Sequence, residues 1–127
     1  MTLRKKKLGA QGEQIAINYL HNRGYHILER NYRNKLGEID IIAKHGNDLV
    51  FIEVKTRSDN MFGSPLEAVT SAKQRQLAKV ALEYLSRQNC LDQPARFDVV
   101  GILLRAKPEA QSQEAKIELV QHAFALS

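Results

Sequence analysis

Charged residues lie inside two neighbouring apolar segments of this sequence, 37–43 and 49–57. Asp40 belongs to the first segment, and Glu53 and Lys55 belong to the second. Charges in such surroundings are costly unless they are paired or bind a ligand. Two carboxylates are hard oxygen ligands of the kind that Mg²⁺ and Mn²⁺ prefer, and a neighbouring lysine suits a phosphate ester. These residue types therefore favour metal-assisted chemistry on a phosphodiester.

The predicted metal site draws its ligands from both segments. Asp40 and Glu53 would supply carboxylates, and the backbone carbonyl of Val54 is placed to add another oxygen. Lys55 would orient the attacking water, remove its proton or stabilise the developing charge, and the sequence leaves these three roles open. The alternative is that Glu53 and Lys55 are exposed cross-strand partners on a half-solvated sheet.

The two segments read as strands because they are rich in Ile, Val and Phe. Side chains alternate between the two faces of a strand, so Glu53 and Lys55 share one face. The short connection 44–48 contains a glycine and an asparagine, which predicts a hairpin. Such a hairpin would bring Asp40 alongside Glu53.

The remaining elements place this hairpin in an α/β domain. We predict a helix over 9–21, a strand over 25–32, a long helix from Pro65 to Gln88 capped by Ser64, and strands over 96–104 and 116–124. The resulting order, α-β-β-β-α-β-β, predicts a mixed central sheet flanked by helices. Residues 1–8 are expected to form a flexible basic tail, and residues 9–127 a single domain.

Composition limits the location and the partners of the protein. A net charge of +5 permits binding to nucleic acid but is also usual for a solvated basic surface. One cysteine, Cys90, excludes an intramolecular disulfide and fits a reducing compartment. No apolar run has the length needed to cross a membrane, and no apolar signal-peptide region follows the basic N-terminus. We therefore expect a cytoplasmic protein with no membrane partner.

The spacing of the charged residues is similar to a known motif. Asp40, followed by Glu53, Val54 and Lys55, resembles the PD-(D/E)xK motif of the restriction-endonuclease-like nucleases, with Ile39 in place of its proline. That replacement touches no ligand. The resemblance implies a restriction-endonuclease-like core in which the two acids hold the metal and the lysine acts in catalysis.

Glu13 is connected to the site by a second resemblance. The segment from Gly9 to Glu13 resembles the first helix of archaeal Holliday-junction resolvases, in which a glutamate joins the metal site. This resemblance implies that Glu13 is a third carboxylate around the metal. Taken by itself, Glu13 is a carboxylate near a helix N-terminus, where the helix dipole favours negative charge.

A wider set of segments is similar to the YraN-like family of small bacterial proteins. The matching segments are 24–25, 30–33, 37–40, 51–57, 62–65 and 96–100. They cover nearly the whole chain and occur in order. The resemblance therefore implies an endonuclease-like fold directly, and a nuclease activity only by way of that fold.

Further polar residues are candidates for contacts with nucleic acid. These residues are Arg33, Arg57, Lys73 and Gln74. The two arginines would contact phosphates or balance the acids, and the two helix residues would face the scissile strand or lie on a solvated surface. Glu38, on the strand face of Asp40, would contact the metal ligands without binding the metal itself, or it would be an ordinary charge near a turn. Asp98 is expected to pair with an arginine, and the histidines are expected at the surface.

The function predicted from the sequence is a Mg²⁺- or Mn²⁺-dependent DNA endonuclease, with branched or flapped DNA as a candidate substrate, that contacts backbone more than bases. A homodimer is expected by analogy, because two strand cuts need two sites. Two alternatives stay open: a catalytically weak nucleic-acid-binding protein, and an interaction module of replication or repair assemblies. Metal-dependent turnover separates the enzyme from the first alternative, and steep salt dependence separates phosphate binding from the second.

Overall fold

Within the part of the chain that the structure describes, two α-helices and five strands follow the predicted order. The structure is a computed structural model that describes residues 3–58, 65–107, 109 and 112–126. The helices are α1 (Leu3–Asn22) and α2 (Ser71–Arg87), and a short 3-10 helix covers Pro65–Ala68. The strands are β1 (His26–Asn34), β2 (Gly37–His45), β3 (Asp48–Arg57), β4 (Ala95–Lys107) and β5 (Ser112–Val120). The predicted order α-β-β-β-α-β-β is confirmed.

The described strands form a mixed sheet in the order β1-β2-β3-β4-β5, so β3 lies in the middle. β3 runs antiparallel to β2 and parallel to β4. The two outer pairs, β1–β2 and β4–β5, are antiparallel. A parallel pair needs a crossover connection, which α2 provides between β3 and β4. The predicted fold class, an α/β domain with a mixed central sheet, is confirmed.

Each face of the sheet carries its own buried cluster. The helices contribute Ala16 and Leu20 to one cluster, and Leu77, Val80, Ala81, Tyr84 and Leu85 to the other. Along β3, Val50 and Ile52 pack on the face covered by α1, whereas Phe51 packs on the face covered by α2. Because side chains alternate, Glu53 and Lys55 lie on the second face, which we call the α2 face.

Helix α1 crosses β3 at a close contact. A Cβ atom at Gly12 would lie 1.9 Å from Thr56 Oγ1 and 2.8 Å from Thr56 Cβ, so this approach requires glycine. The next helix residue, Glu13, is thereby held near the charged end of the β2–β3 hairpin, where it interacts with Asp40.

The first helix is longer than the sequence predicts. It begins at Leu3 and not at Gly9, so residues 3–8 belong to the helix where a flexible tail was expected. Leu, Lys and Arg are good helix formers, which favours this extension. Residues 1–2 lie outside the described residues. No helix of the described ranges is both long and apolar enough to cross a membrane.

The predicted long helix from Pro65 is wrong in its first turns. A 3-10 turn ends at Ala68, and α2 begins only after Thr70, whose backbone is extended and whose Oγ1 accepts a hydrogen bond from the Lys73 amide at 3.1 Å. A threonine hydroxyl competes for backbone amides and thus starts a new helix at this point. The predicted cap, Ser64, lies outside the described residues. The last strand also begins earlier than predicted, at Ser112.

Candidate functional site

Asp40 and Glu53 lie where β2 and β3 part. The ladder between these strands ends at the pair Ile41–Ile52, one residue before the two acids would face each other. Beyond this pair, the Asp40 side chain takes the place of a backbone acceptor: its Oδ2 accepts a hydrogen bond from the Val54 amide at 2.8 Å. The amide and carbonyl of a strand residue point to the same side, so the Val54 carbonyl is also directed towards Asp40.

Glu53 is buried beside a second acid, with 7% of the residue exposed. Burial raises the pKa of Glu53, and the hydrogen bond and charge of Asp40 raise it further. The charges of Lys73 and Lys55 lower it in part, and the resulting pKa is about 8. A divalent cation stabilises such a pair, because it can displace the shared proton and neutralise both carboxylates.

Two lysines approach the same oxygen of Glu53. Lys55 Nζ from β3 and Lys73 Nζ from the first turn of α2 each lie 3.8 Å from Glu53 Oε2. The α2 turn is held by the hydrogen bond from the Lys73 amide to Thr70. The sequence gives no signal of the Lys73–Glu53 ion pair, because it depends on how α2 docks on β3.

Glu13 approaches the acids from α1. Its Oε1 accepts a hydrogen bond from Asn31 Nδ2 at 2.9 Å and lies 3.9 Å from Arg30 Nε. Burial raises the pKa of Glu13, and the charge of Asp40 raises it further. Asn31 lies in β1 across from Asp40 and adopts a φ of 53°, a conformation that asparagine tolerates better than most residues.

The oxygen atoms around Asp40 and Glu53 meet part of the needs of a divalent metal ion. Among the described residues, no three His, Cys, Asp or Glu side chains form a group that could hold a metal. Asp40 and Glu53 therefore supply two carboxylates, with the Val54 carbonyl beside them, while Glu13 is engaged by Asn31. Mg²⁺ commonly uses one or two carboxylates and completes its coordination with water and substrate phosphates. The residues fit such a site, and they do not form an all-protein cage.

The other predicted residues have different surroundings. Arg33 Nη2 donates a hydrogen bond to Glu38 Oε2 at 2.9 Å, in an exposed pair. Arg57 is half-buried and lines a cavity on the α2 face. Gln74 Nε2 donates a hydrogen bond to the Val69 carbonyl at 3.1 Å, so one of its amide protons is used within the protein. Their contacts with nucleic acid stay predictions.

A second charged cluster surrounds Arg96 on β4. Its guanidinium donates hydrogen bonds to Asp98 at 3.0 Å, to Asp48 at 2.7 Å and to Tyr25 Oη at 3.1 Å. The prediction that Asp98 pairs with an arginine is confirmed. The surface position expected for His45 is wrong, because its half-buried ring stacks on Tyr25 and its Nδ1 lies 2.8 Å from Arg96 Nη2. These groups satisfy one another's hydrogen bonds and charges, which accounts for their burial without a ligand.

The fold and site define an α/β protein whose central strand carries a buried acid and a lysine, beside an acid of the neighbouring strand. The chain belongs to the uncharacterised protein family UPF0102, whose model matches residues 12–102. The predicted YraN-like membership is thereby confirmed.

Three relatives illustrate the similarity. A UPF0102 protein of Geobacter metallireducens is 47% identical over 127 residues, which cover 100% of this chain and 99% of that protein. One of Geotalea uraniireducens is 52% identical over 124 residues, covering 96% and 92%. One of Caldicellulosiruptor saccharolyticus is 47% identical over 122 residues, covering 96% and 100%.

A solved structure is similar to this chain at a lower level. The structure of Pyrococcus furiosus SfsA in complex with Ca²⁺ matches with a TM-score of 0.43 and 13% sequence identity. The match covers 92% of this chain and 63% of that chain.

Proposed function

We propose that this protein is a Mg²⁺- or Mn²⁺-dependent nuclease that hydrolyses phosphodiester bonds of DNA. The observation that carries the proposal is the pair formed by half-buried Asp40 and buried Glu53, in which the pKa of Glu53 is raised to about 8 and Lys55 Nζ lies 3.8 Å from Glu53 Oε2. Ion pairing with Lys55 and Lys73 alone would need no second acid, whereas here Asp40 also lies beside Glu53 and raises its pKa.

The residues divide the chemistry between them. Asp40, Glu53 and the Val54 carbonyl would hold the cation, which lowers the pKa of a bound water and neutralises charge on the phosphate. Lys55 presents an ammonium with three N–H donors, which can orient the attacking water and bind phosphate oxygens. Its position on the same face as Glu53 keeps both groups on one side of the scissile bond.

The surroundings of the acid pair support a polyanionic substrate. Lys55 and Arg57 continue along the same face of β3, and Lys73 borders Glu53 from α2. Backbone phosphates are the groups that such cations bind without reading sequence. Branched or flapped DNA as the preferred form, and a homodimer as the active state, stay predictions.

The test is a cleavage assay with Mg²⁺ or Mn²⁺ on single-stranded, duplex, flap and four-way-junction DNA. Asp40→Asn and Lys55→Gln are compared with the parent, and Lys79→Gln, at an exposed position of α2, serves as the matched control. The proposal requires that the parent and the control cleave DNA and that both site variants lose this cleavage. Binding without cleavage, unchanged in the site variants, would contradict catalysis and favour a nucleic-acid-binding protein. If the parent neither binds nor cleaves any of these DNA forms, the result would favour the interaction module.

A further inference from the structure

A cavity of about 340 Å³ lies beside Lys55, outside the acid pair. Its floor is formed by Gly101 and Leu103 of β4, which pair in register with Lys55 and Arg57 of β3. The volume lies at the lower end of the range of small-molecule sites. The cavity is therefore large enough for a small ligand, and it shares Lys55 with the candidate active site.

The alternation along β4 fixes the face on which this cavity lies. Val99 packs in the cluster beneath α2, whereas Val100 and Ile102 pack in the cluster beneath α1. Gly101 and Leu103 consequently face the α2 side, as Glu53, Lys55 and Arg57 do on the adjacent strand. Glu53 and the cavity thus lie on the same face of the sheet.

Pro65 forms one wall of the cavity. A Cβ atom at Gly101 would lie 2.2 Å from Pro65 Cγ, so the proline ring rests directly on the bare backbone of β4. The ring and the half-buried Leu103 together give the cavity an apolar interior.

The rim of the cavity is predominantly cationic. Leu103 pairs with Arg57 on one side and with Lys116 of β5 on the other, so two cations flank it across two strand spacings, about 10 Å. Lys55 adds a third cation, and Glu118 adds one acid to the described lining. An apolar interior with cations at its edge matches a flat base attached to a phosphate.

We propose that this cavity binds one unpaired nucleotide of the DNA strand that the acid pair cuts, an inference that rests on the proposed function. The base packs against Leu103 and Pro65, and its phosphate is held by Arg57 and Lys116. From Glu53 to Arg57 the strand rises about 13 Å, which one DNA strand can span. A base inside a duplex would have to be unpaired and unstacked before it could enter such a cavity, so the site favours single-stranded DNA over duplex.

The test compares binding of a twelve-nucleotide oligothymidylate with binding of a duplex of the same length, by fluorescence anisotropy in EDTA. Lys116→Glu should weaken oligothymidylate binding about tenfold or more and duplex binding about twofold. Lys79→Glu makes the same charge change on α2 and should weaken both by about twofold. Equal effects of the two variants, or equal losses for both DNA forms, would overturn the proposal.

An uncharged variant tests the apolar part of the cavity. Leu103→Thr keeps a residue that favours strands while it removes apolar contact, and it should weaken oligothymidylate binding about fivefold. Thymidine monophosphate should displace the oligonucleotide at lower concentration than inorganic phosphate does. If phosphate competes equally well, the cavity is an anion site without a place for the base. Melting temperatures of the variants confirm that each is folded.

The two proposals fail in different ways. If the parent and Asp40→Asn bind oligothymidylate through Lys116 and Leu103 but the parent cuts no DNA with Mg²⁺ or Mn²⁺, the nuclease proposal is wrong and the nucleotide site stands. If the parent cuts DNA and Lys116→Glu behaves like Lys79→Glu, the nucleotide site is wrong and the nuclease proposal stands.

Discussion

Lys55 and Lys73 approach one carboxylate oxygen, Glu53 Oε2, at the same distance of 3.8 Å from two different elements. Lys55 is fixed in β3, next to the proposed nucleotide site, whereas Lys73 belongs to α2. We therefore expect Lys55 to act on the substrate and Lys73 to act mainly on the acidity of Glu53.

Replacing Lys73 by Gln removes one of the two cations that lower the pKa of Glu53. That pKa should rise, so a metal must displace a more firmly held proton at neutral pH. We expect Mg²⁺ affinity to fall about threefold to tenfold, with a smaller change in kcat at saturating Mg²⁺. Lys55→Gln should instead lower kcat about 100-fold or more. Mg²⁺ titrations of the cleavage rate check both, and identical profiles for the two variants would contradict the division of roles.

In the absence of divalent cations, stability should fall as the pH rises from about 4.5 to about 8. The ordinary pKa of glutamate applies to the unfolded chain, whereas Glu53 in the folded protein has a pKa of about 8. The folded state therefore holds more protons in this window, and deprotonation costs it about 2–5 kcal/mol. Below the window Glu53 is protonated in both states, and above it Glu53 is ionised in both, so the contribution of Glu53 to the pH dependence of stability is confined to this window.

Urea unfolding across this pH range, in EDTA, measures the effect. Glu53→Gln is the matched control, because its amide cannot ionise and its stability profile should lose this decline. A parent profile parallel to that of the variant would show that Glu53 does not carry the raised pKa.

Asp40→Asn should make the metal-free protein more stable while it weakens the metal site. The asparagine keeps an oxygen that can accept the Val54 amide hydrogen bond, but it removes the charge that raises the pKa of Glu53. At about pH 8 we expect a gain of about 1 kcal/mol in unfolding free energy in EDTA, and at least a tenfold loss of Mg²⁺ affinity. Thermal unfolding with and without Mg²⁺ measures both.

Asp40→Ala separates the charge from the hydrogen bond. It relieves the same repulsion as Asp40→Asn but leaves the Val54 amide without its side-chain acceptor, at a cost of about 1–2 kcal/mol. The alanine variant should therefore be less stable than the asparagine variant. Equal stability of the two would mean that the hydrogen bond contributes nothing to the fold.

Gly12→Ala should destabilise the protein by about 1–3 kcal/mol, because the added methyl group would overlap the side chain of Thr56. Gly9 lies in the same helix, and a Cβ atom there would meet nothing within 4 Å. Gly9→Ala should stabilise the protein by about 0.5–1 kcal/mol through helix propensity. Chemical denaturation of both variants checks the opposite signs, and a neutral Gly12→Ala would contradict the close packing of α1 on β3.

Local patterns predicted the hairpin well. The apolar runs of β2 and β3 and the short turn between them hold Asp40, Glu53 and Lys55 within one hairpin, so hairpin pairing and strand alternation predicted their proximity. The start of α2 was predicted wrongly, because a threonine hydroxyl at position 70 outcompeted the apparent continuity of the helix.

Long-range features had no local signal. The contact of Lys73 with Glu53 depends on the docking of α2, and the cavity floor depends on the register of β4 beside β3. The predicted bounds of β5 were four residues too late, because an edge strand with many exposed polar residues shows only a weak alternation of apolar and polar side chains. The metal, the substrate and the role of Lys55 stay predictions.

The Val54 amide donates its hydrogen bond to the Asp40 side chain and not to a backbone carbonyl of the neighbouring strand. Its proton therefore reports on the state of that carboxylate and not on the integrity of the sheet. A ligand that draws charge away from Asp40 weakens the hydrogen bond and moves one backbone resonance, while the amides of the adjoining ladder keep theirs. The chain thus contains its own spectroscopic probe of the site, which requires no attached reporter group and no assumed reaction.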